Sequence, residues 1–549
     1  MKSVLKALQS RSGIVVLAVL AGGLLFVHRL EPWGDAVDYL LMSKALLAGQ
    51  WNEVLAWRYP PLYPAWIALC SLPWLPEPFG GMRFQLSSGL IWFIKSIGVA
   101  LYGFAIYQVY EWLKQVVGTG YSLMVVAMAI ALNQHLAIVG SLIGSEILFL
   151  LLFWGALGSI HVRAAEEAST ASHVMKLTML FSCAILTRSI GLSLVLGFGI
   201  WCASMYIMKR KSLRTLLSWW PALVIPTLIF AGTTFLGSSA NIQFITTGSD
   251  YLALEYDVER TWIGRVVYNA LNMPMMLFNL CIPKIVDESG ALARLNLLEA
   301  APLLSWSFFL TVAIGVGSTI RNRYSPVHAV AMVYIAVVLM TLDPKGRYFY
   351  PLIPIVWWWF VAGLISASSY FRLPWDRAVK FTGIALVGWI ASTTLFAGIK
   401  NVNNILRYSG TEAWATERYI VAGETDYAGL TAMASWVGRH SEVNDAVISV
   451  KAPLVEGISG REVRYIQSYY MAPEKIESLI QELGRNRVIW LLVDVLPETS
   501  RVSKSRQVVT GQLKARSEVL FNEVFRYHDN IVYRLQYEPP GISLGESIP

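Results

Sequence analysis

The chain has 549 residues, a mass of 61.2 kDa and a formal net charge of +8. Hydrophobic side chains make up 55% of it and charged ones only 15%, against about 25% charged in ordinary soluble domains, and mean hydropathy is +0.51. This composition excludes a soluble globular enzyme and a disordered chain, and predicts a polytopic α-helical membrane protein. Charge is also unevenly spread, with about 35 of the charged side chains after residue 399. The expected organisation is a membrane domain over 1–399 and a small soluble domain over 400–549. The basic excess fits positive-inside loops and anionic headgroups; no basic stripe interleaved with aromatics points to nucleic acid.

Lys2, Lys6 and Arg11 precede an apolar run over 13–30 that lacks a small-residue cleavage site, so it reads as an uncleaved first span. Further runs lie near 88–110, 121–140, 146–162, 216–236, 301–320, 326–342, 350–368 and 381–399. The stretch 174–208 is broken by Thr187-Arg188-Ser189 and reads as two shorter helices, which makes about eleven spans. The Lys209–Arg214 cluster is the strongest vote for a cytoplasmic N-terminus, and an odd number of spans then places the tail outside the cytoplasm.

Two outer loops are long, about 31–87 and 237–300, and long loops in compact proteins are usually functional. In the first, Ala36–Ala48 reads as a helix stopped by Gly49, with Val37, Leu40, Leu41, Ala45 and Leu47 on one apolar face, suited to lying in the membrane interface. Leu62–Leu75 is a second apolar piece, too short to span. The tail reads as α/β. Strands are expected over 446–451, 463–467, 488–494 and 531–536, and helices from Asp426, from Pro473 and near 504–520. The four cysteines, Cys70, Cys183, Cys202 and Cys281, are scattered in mostly apolar contexts and read as packing residues. No nucleotide fingerprint, Walker loop, HExxH or metal-ligand spacing of Cys or His is present.

Several polar residues stand in contexts that fit chemistry. Asp35 and Asp38 lie three apart on one helix face. A carboxylate there suits a general base, and a pair suits a divalent cation, while an N-cap and a first-turn acid account for the same residues. Arg58, held by the prolines of Tyr59-Pro60-Pro61, suits a phosphate or an interfacial anchor. Ser145-Glu146 opens a span as a cap and first-turn acid. Arg188 interrupts an apolar run, which fits a partner such as Glu146, Asp35 or a lipid phosphate, or a plain surface turn. Lys345 and Arg347, beside Tyr348, break the positive-inside bias as an anion site or a plain charged hairpin would.

In order along the chain, these pieces resemble the GT-C membrane glycosyltransferases, in particular bacterial members akin to protein O-mannosyltransferases and lipid A aminoarabinose transferases. The pieces are Gly34-Asp35-x-x-Asp38-Tyr39, Ala45-Leu46-x-x-Gly49, Tyr59-Pro60-Pro61-Leu62-Tyr63-Pro64, Ser145-Glu146, Leu186-Thr187-Arg188-Ser189-x-Gly191-Leu192, and Arg347-Tyr348 followed by Pro351. The resemblance covers about the first 400 residues. It departs from the family pattern in having Ala36 after Asp35, Tyr59 directly before the prolines, and Ser189 where proline is common.

The resemblance implies a GT-C-like fold in a bacterial inner membrane. It also implies inverting transfer of a sugar from a polyprenyl-phosphate donor to an envelope lipid, glycan or protein acceptor at the outer face. Asp35, with Asp38 as second acid, would be catalytic. Arg58, Tyr59, Arg188, Lys345, Arg347 and Tyr348 would bind the donor phosphate, and Glu146 would support them. No cofactor is required for a phosphate leaving group, although a divalent cation is compatible with the acids. The competing expectations are a flippase for lipid-linked sugars, which predicts internal repeats and broken helices at mid-membrane, and a non-catalytic assembly factor.

Overall fold

The computed structural model describes residues 10–26, 35–51, 54, 59–74, 88–118, 120–164, 170–213, 217–236, 262–282, 297–340, 346–371, 375–408, 428–442, 444–449, 455, 459, 461–465, 488–493, 519–527 and 530–537.

The N-terminal part is helical. α1 (Arg11–Leu24) starts at Ser10, whose hydroxyl accepts from the Gly13 N–H. The next helices, α2 (Asp35–Leu47) and α3 (Leu62–Ser71), pack on each other, and Ser43 Oγ on α2 donates to the Pro64 carbonyl at 2.8 Å. Of the apolar face expected on α2, Leu40 and Ala45 are buried within the protein, as are Ala36, Tyr39 and Met42. Its apolar face therefore binds neighbouring elements, and α3 is its main partner.

A bundle follows: α4 (Ser88–Val116), α5 (Tyr121–Ala131), α6 (Gln134–Ser141), α7 (Glu146–Ala164), α8 (Ala171–Thr187), α9 (Leu192–Ile207) and α10 (Trp220–Leu236). α5 and α6 are one apolar run bent by 47°. Asn133 makes the bend workable. Its side chain accepts from the N–H groups of His135 and Leu136, restarting the helix, and its amide donates to the Leu280 carbonyl at 2.7 Å. The break between α8 and α9 falls at Arg188, as the sequence predicts. Arg188 is extended, a 3₁₀ turn follows over Ser189–Gly191, and a Cβ on Gly191 would lie 2.7 Å from the Ala184 carbonyl carbon. Only glycine allows the chain to fold back so tightly there.

α11 (Trp262–Cys281) lies inside the stretch expected as the second long loop. The Asn269 amide ties it to the Leu339 carbonyl at 2.9 Å. The bundle closes with α12 (Leu297–Arg323), α13 (Pro326–Met340), α14 (Ile353–Phe371) and α15 (Trp375–Tyr408), with a 3₁₀ segment over Gly346–Leu352 before α14. α12 and α14 meet backbone to backbone: a Cβ on Gly315 would lie 1.7 Å from the Trp359 carbonyl oxygen, and one on Gly363 would lie 1.9 Å from that of Thr311. Small residues at such crossings let membrane helices pack closely. Trp357 and Trp359 are buried in the core.

Among the described residues, five helices are long and apolar enough to cross a membrane, or six with the bent pair counted as one. Seven shorter apolar helices accompany them, and α8, α10 and α13 are among these. Length and composition of the described residues therefore support five or six full spans and do not by themselves give the eleven expected. All four cysteines are free.

The tail contributes α16 (Ala428–His440) and five strands: β1 (Ala446–Ser449), β2 (Glu462–Tyr465), β3 (Ile489–Val493), β4 (Val519–Tyr527) and β5 (Asn530–Tyr537). Their order is β2-β1-β3-β5-β4, parallel among the first three and antiparallel at β3–β5 and β5–β4. Four strands match the sequence reading to within two residues. The helix expected near 504–520 is contradicted at its end, where Val519 and Leu520 already belong to β4; residues 504–518, Asp426 and the helix expected from Pro473 lie outside the described residues. Met433, Val437, Val447 and Trp490 of the tail share one apolar cluster with Tyr39, Tyr63 and Ile94.

Arg461 is buried at the end of α16. Its Nε donates to Ser441 Oγ at 2.8 Å, and its Nη2 to the carbonyls of Gly438 and Ser441. A cation at a helix C-terminus satisfies the open carbonyls and the dipole together. Arg461→Ala is expected to destabilise the tail by about 3 kcal/mol, since hydrogen bonds to a charged group contribute most and the carbonyls are left buried. Faster proteolysis of the tail in the full-length variant, with the membrane part intact, is the readout.

Candidate functional site

The site gathers where α7, the α8–α9 break and the 3₁₀ segment before α14 converge. Glu146 is the first residue of α7, a position the helix dipole favours for an acid. Its Oε1 lies 2.5 Å from Arg188 Nη1 and 3.4 Å from Arg347 Nη1. The Glu146 and Arg188 side chains are 13% and 15% exposed, and Arg347 is 34% exposed, so the first pair is much drier than the second. Both guanidinium carbons sit over the Tyr348 ring, at 5.5 Å from Arg188 and 5.7 Å from Arg347. Phe149, Leu150, Tyr334, Tyr350 and Pro351 complete the cleft.

The scaffold holds these groups by bonds to backbone. Tyr334 donates to the Tyr348 carbonyl at 2.8 Å and Trp154 Nε1 to the Pro351 carbonyl at 2.9 Å, so two helices clamp the segment that carries Arg347. On the other side, Arg188 Nη1 reaches Ser145 Oγ at 3.4 Å, and Ser145 shares a 2.9 Å hydrogen bond with the Tyr39 hydroxyl. Tyr39 is buried on α2, four residues after Asp35 and one after Asp38. Its ring packs against Tyr63 at 4.9 Å and Tyr59 at 5.1 Å. The helix with the two acids is therefore tied by one tyrosine to the arginine cluster.

Of the residues named from sequence, Glu146, Arg188, Arg347 and Tyr348 come together in one cluster. Tyr59 stands at one remove, against Tyr39. Arg58 and Lys345 lie outside the described residues, as do the side chains of Asp35 and Asp38. Among the described residues no group of three His, Cys, Asp or Glu side chains is placed to share a metal ion. In this arrangement Glu146 is engaged by two cations. Tyr39 and Ser145, quoted from sequence only as motif and cap residues, join the site, and so do Tyr334 and Tyr350, which were not singled out. Their signal was polarity inside or beside apolar runs, which Lys95 shares: it is 1% exposed within α4.

No family model matches the chain, and no curated protein matches it. Solved structures do. The crystal structure of the Archaeoglobus fulgidus oligosaccharyltransferase tethered by a disulfide bond to an acceptor peptide containing the NVT sequon superposes with a TM-score of 0.52 at 12% identity, covering 97% of this chain and 75% of that one. The two chains share a fold. A second crystal structure of the same archaeal enzyme, in complex with Zn and sulfate, gives the same TM-score and identity over 95% of this chain and 75% of that one. These matches show the shared fold and do not single out the bacterial families that the motifs resemble.

Proposed function

We propose that this chain is a membrane glycosyltransferase that moves a sugar from a polyisoprenyl-phosphate donor to an acceptor at the extracytoplasmic face. The observation that carries the reading is the convergence of Arg188 and Arg347 on one anion position, tied through Ser145 and Tyr39 to the helix that bears Asp35 and Asp38. Paired guanidiniums suit a phosphate that gains charge as the sugar leaves. Asp35 is the base, with Asp38 as second acid, and Arg58, Tyr59, Lys345 and Tyr348 complete the donor phosphate site. The acceptor oxygen or nitrogen attacks the anomeric carbon while the bond from that carbon to the phosphate oxygen breaks. The electron pair stays on the phosphate, the proton passes to Asp35, and the anomeric centre inverts.

Residues 1–399 form the membrane domain of this scheme and 400–549 an extracytoplasmic domain that helps to seat an envelope lipid, glycan or protein acceptor. The N-terminus is cytoplasmic and the membrane is the bacterial inner membrane. The fold neighbour is an oligosaccharyltransferase, seen with an acceptor peptide, which supports a transferase reading and leaves the donor, sugar and acceptor of this chain to experiment. The test is transfer by purified, lipid-reconstituted protein from a panel of radiolabelled polyprenyl-phosphate sugars to envelope acceptors. Asp35→Asn is expected to lower the rate at least about a hundredfold, the usual weight of a general base, with folding intact. Full activity in that variant would remove Asp35 from the chemistry. No transfer across the panel, with protein-dependent movement of the lipid between leaflets, would favour the flippase.

A further inference from the structure

Two guanidiniums from separate elements close on a single carboxylate oxygen, that of Glu146. The carboxylate is folded over the turn that precedes its own helix: a Cβ on Gly144 would lie 2.5 Å from Glu146 Oε2. With the carboxylate in this place the space beside the two guanidiniums is narrow, about 10 Å³, roughly that of one water, so a phosphate would have to take the carboxylate's position. Carboxylate and phosphate compete for the same kind of donor, a guanidinium fork. We propose that Glu146 is a built-in stand-in for the donor phosphate, holding Arg188 and Arg347 in their anion-binding arrangement at rest and leaving them when the lipid phosphate enters.

This inference rests on reading the arginine pair as the phosphate site. It adds an exchange step to that reading. Glu146 gives both cations a shared counter-charge at rest, and apparent donor affinity scales with the fraction of molecules whose carboxylate has moved away. The exchange also reaches α2, because Arg188 and Tyr39 share Ser145. Phosphate entry is thereby felt on the helix that carries Asp35.

The test titrates a fluorescent polyisoprenyl monophosphate into the full chain in lipid nanodiscs. Gly144→Ala crowds the carboxylate from its place without changing any charge, and Glu146→Gln removes the charge. Both variants are expected to bind the lipid phosphate about three- to tenfold more tightly, as release of a mostly closed site requires, while Arg347→Gln binds it more weakly. If Gly144→Ala binds equally or more weakly while Arg347→Gln still weakens binding, the stand-in is overturned and Glu146 becomes a positioning acid for the arginines. Binding indifferent to both Arg347→Gln and Arg188→Gln overturns the phosphate site and the stand-in with it. Melting temperatures accompany each titration, and Gly144→Ala decides if Glu146→Gln does not fold.

Discussion

Arg188→Met is expected to cost about 3 kcal/mol of stability and to abolish transfer. Removing one partner of a buried ion pair leaves the other charge without compensation, at about 3–5 kcal/mol in soluble proteins. The lower end applies because Glu146 keeps Arg347 at 3.4 Å. Arg347→Met removes the longer and more exposed contact, and should cost only about 1 kcal/mol in stability while still impairing donor binding. A third variant separates the two roles. In Arg188→Met with Glu146→Leu neither charge remains, so most of the stability returns, as for other buried pairs replaced by apolar residues, while transfer stays lost. Thermal unfolding followed by tryptophan fluorescence, alongside the transfer assay, reads both. Similar melting temperatures for the single Arg188 variant and wild type would mean that the pair contributes nothing to folding.

The second large effect lies far from the chemistry. Gly363→Ala is expected to destabilise the bundle by about 3 kcal/mol or more, or to prevent assembly. The added carbon would meet the Thr311 carbonyl oxygen at 1.9 Å and the Gly315 nitrogen at 3.1 Å. These are backbone atoms, which no rotamer change can move, so α12 and α14 must separate, and each gap forfeits dispersion contacts along the whole crossing. Gly317→Ala, on the same α12, is the control. A Cβ there meets nothing within 4 Å, and alanine favours a helix over glycine by up to about 1 kcal/mol. Expression followed by size-exclusion profiles should show a monodisperse Gly317 variant and an aggregated or absent Gly363 variant. Equal behaviour of the two would mean that the crossing yields more than close-packed backbones allow.

What the sequence revealed and what it hid follow from how far apart the partners are. The long apolar runs are legible because a helix in lipid must be apolar along its length. The break at Arg188 is legible because a cation interrupts one such run. Its counter-charge is narrowed to a few acids and decided only by folding: Arg188 and Ser145 meet across 43 positions, and Trp154 and Pro351 across 197. α11 escaped notice because Asn269, Asn272, Asn279 and Pro274 lower its apolar signal, although at least Asn269 finds a backbone carbonyl inside the bundle. β4 escaped because Asn522, Glu523 and Arg526 give it an exposed face, and Glu523 pairs with Arg526 on that strand at the sheet edge. The glycine crossing of α12 and α14 has no signature beyond the glycines themselves.

Several long-range ties in the bundle, two of them at the site, share one property. Tyr334, Trp154, Asn133 and Thr394 all donate to main-chain carbonyls, of Tyr348, Pro351, Leu280 and Leu132 respectively. A carbonyl is supplied by any residue, so the accepting position is free to change its side chain without loosening the clamp. Half of each interaction is thus invisible to selection on residue identity. Over long divergence the frame can stay while the letters at 280 or 132 drift, and only the donors and the few charges at the centre keep an address. An architecture held in this way outlives its own sequence record, in keeping with a fold shared across 12% identity by a chain that no family model matches.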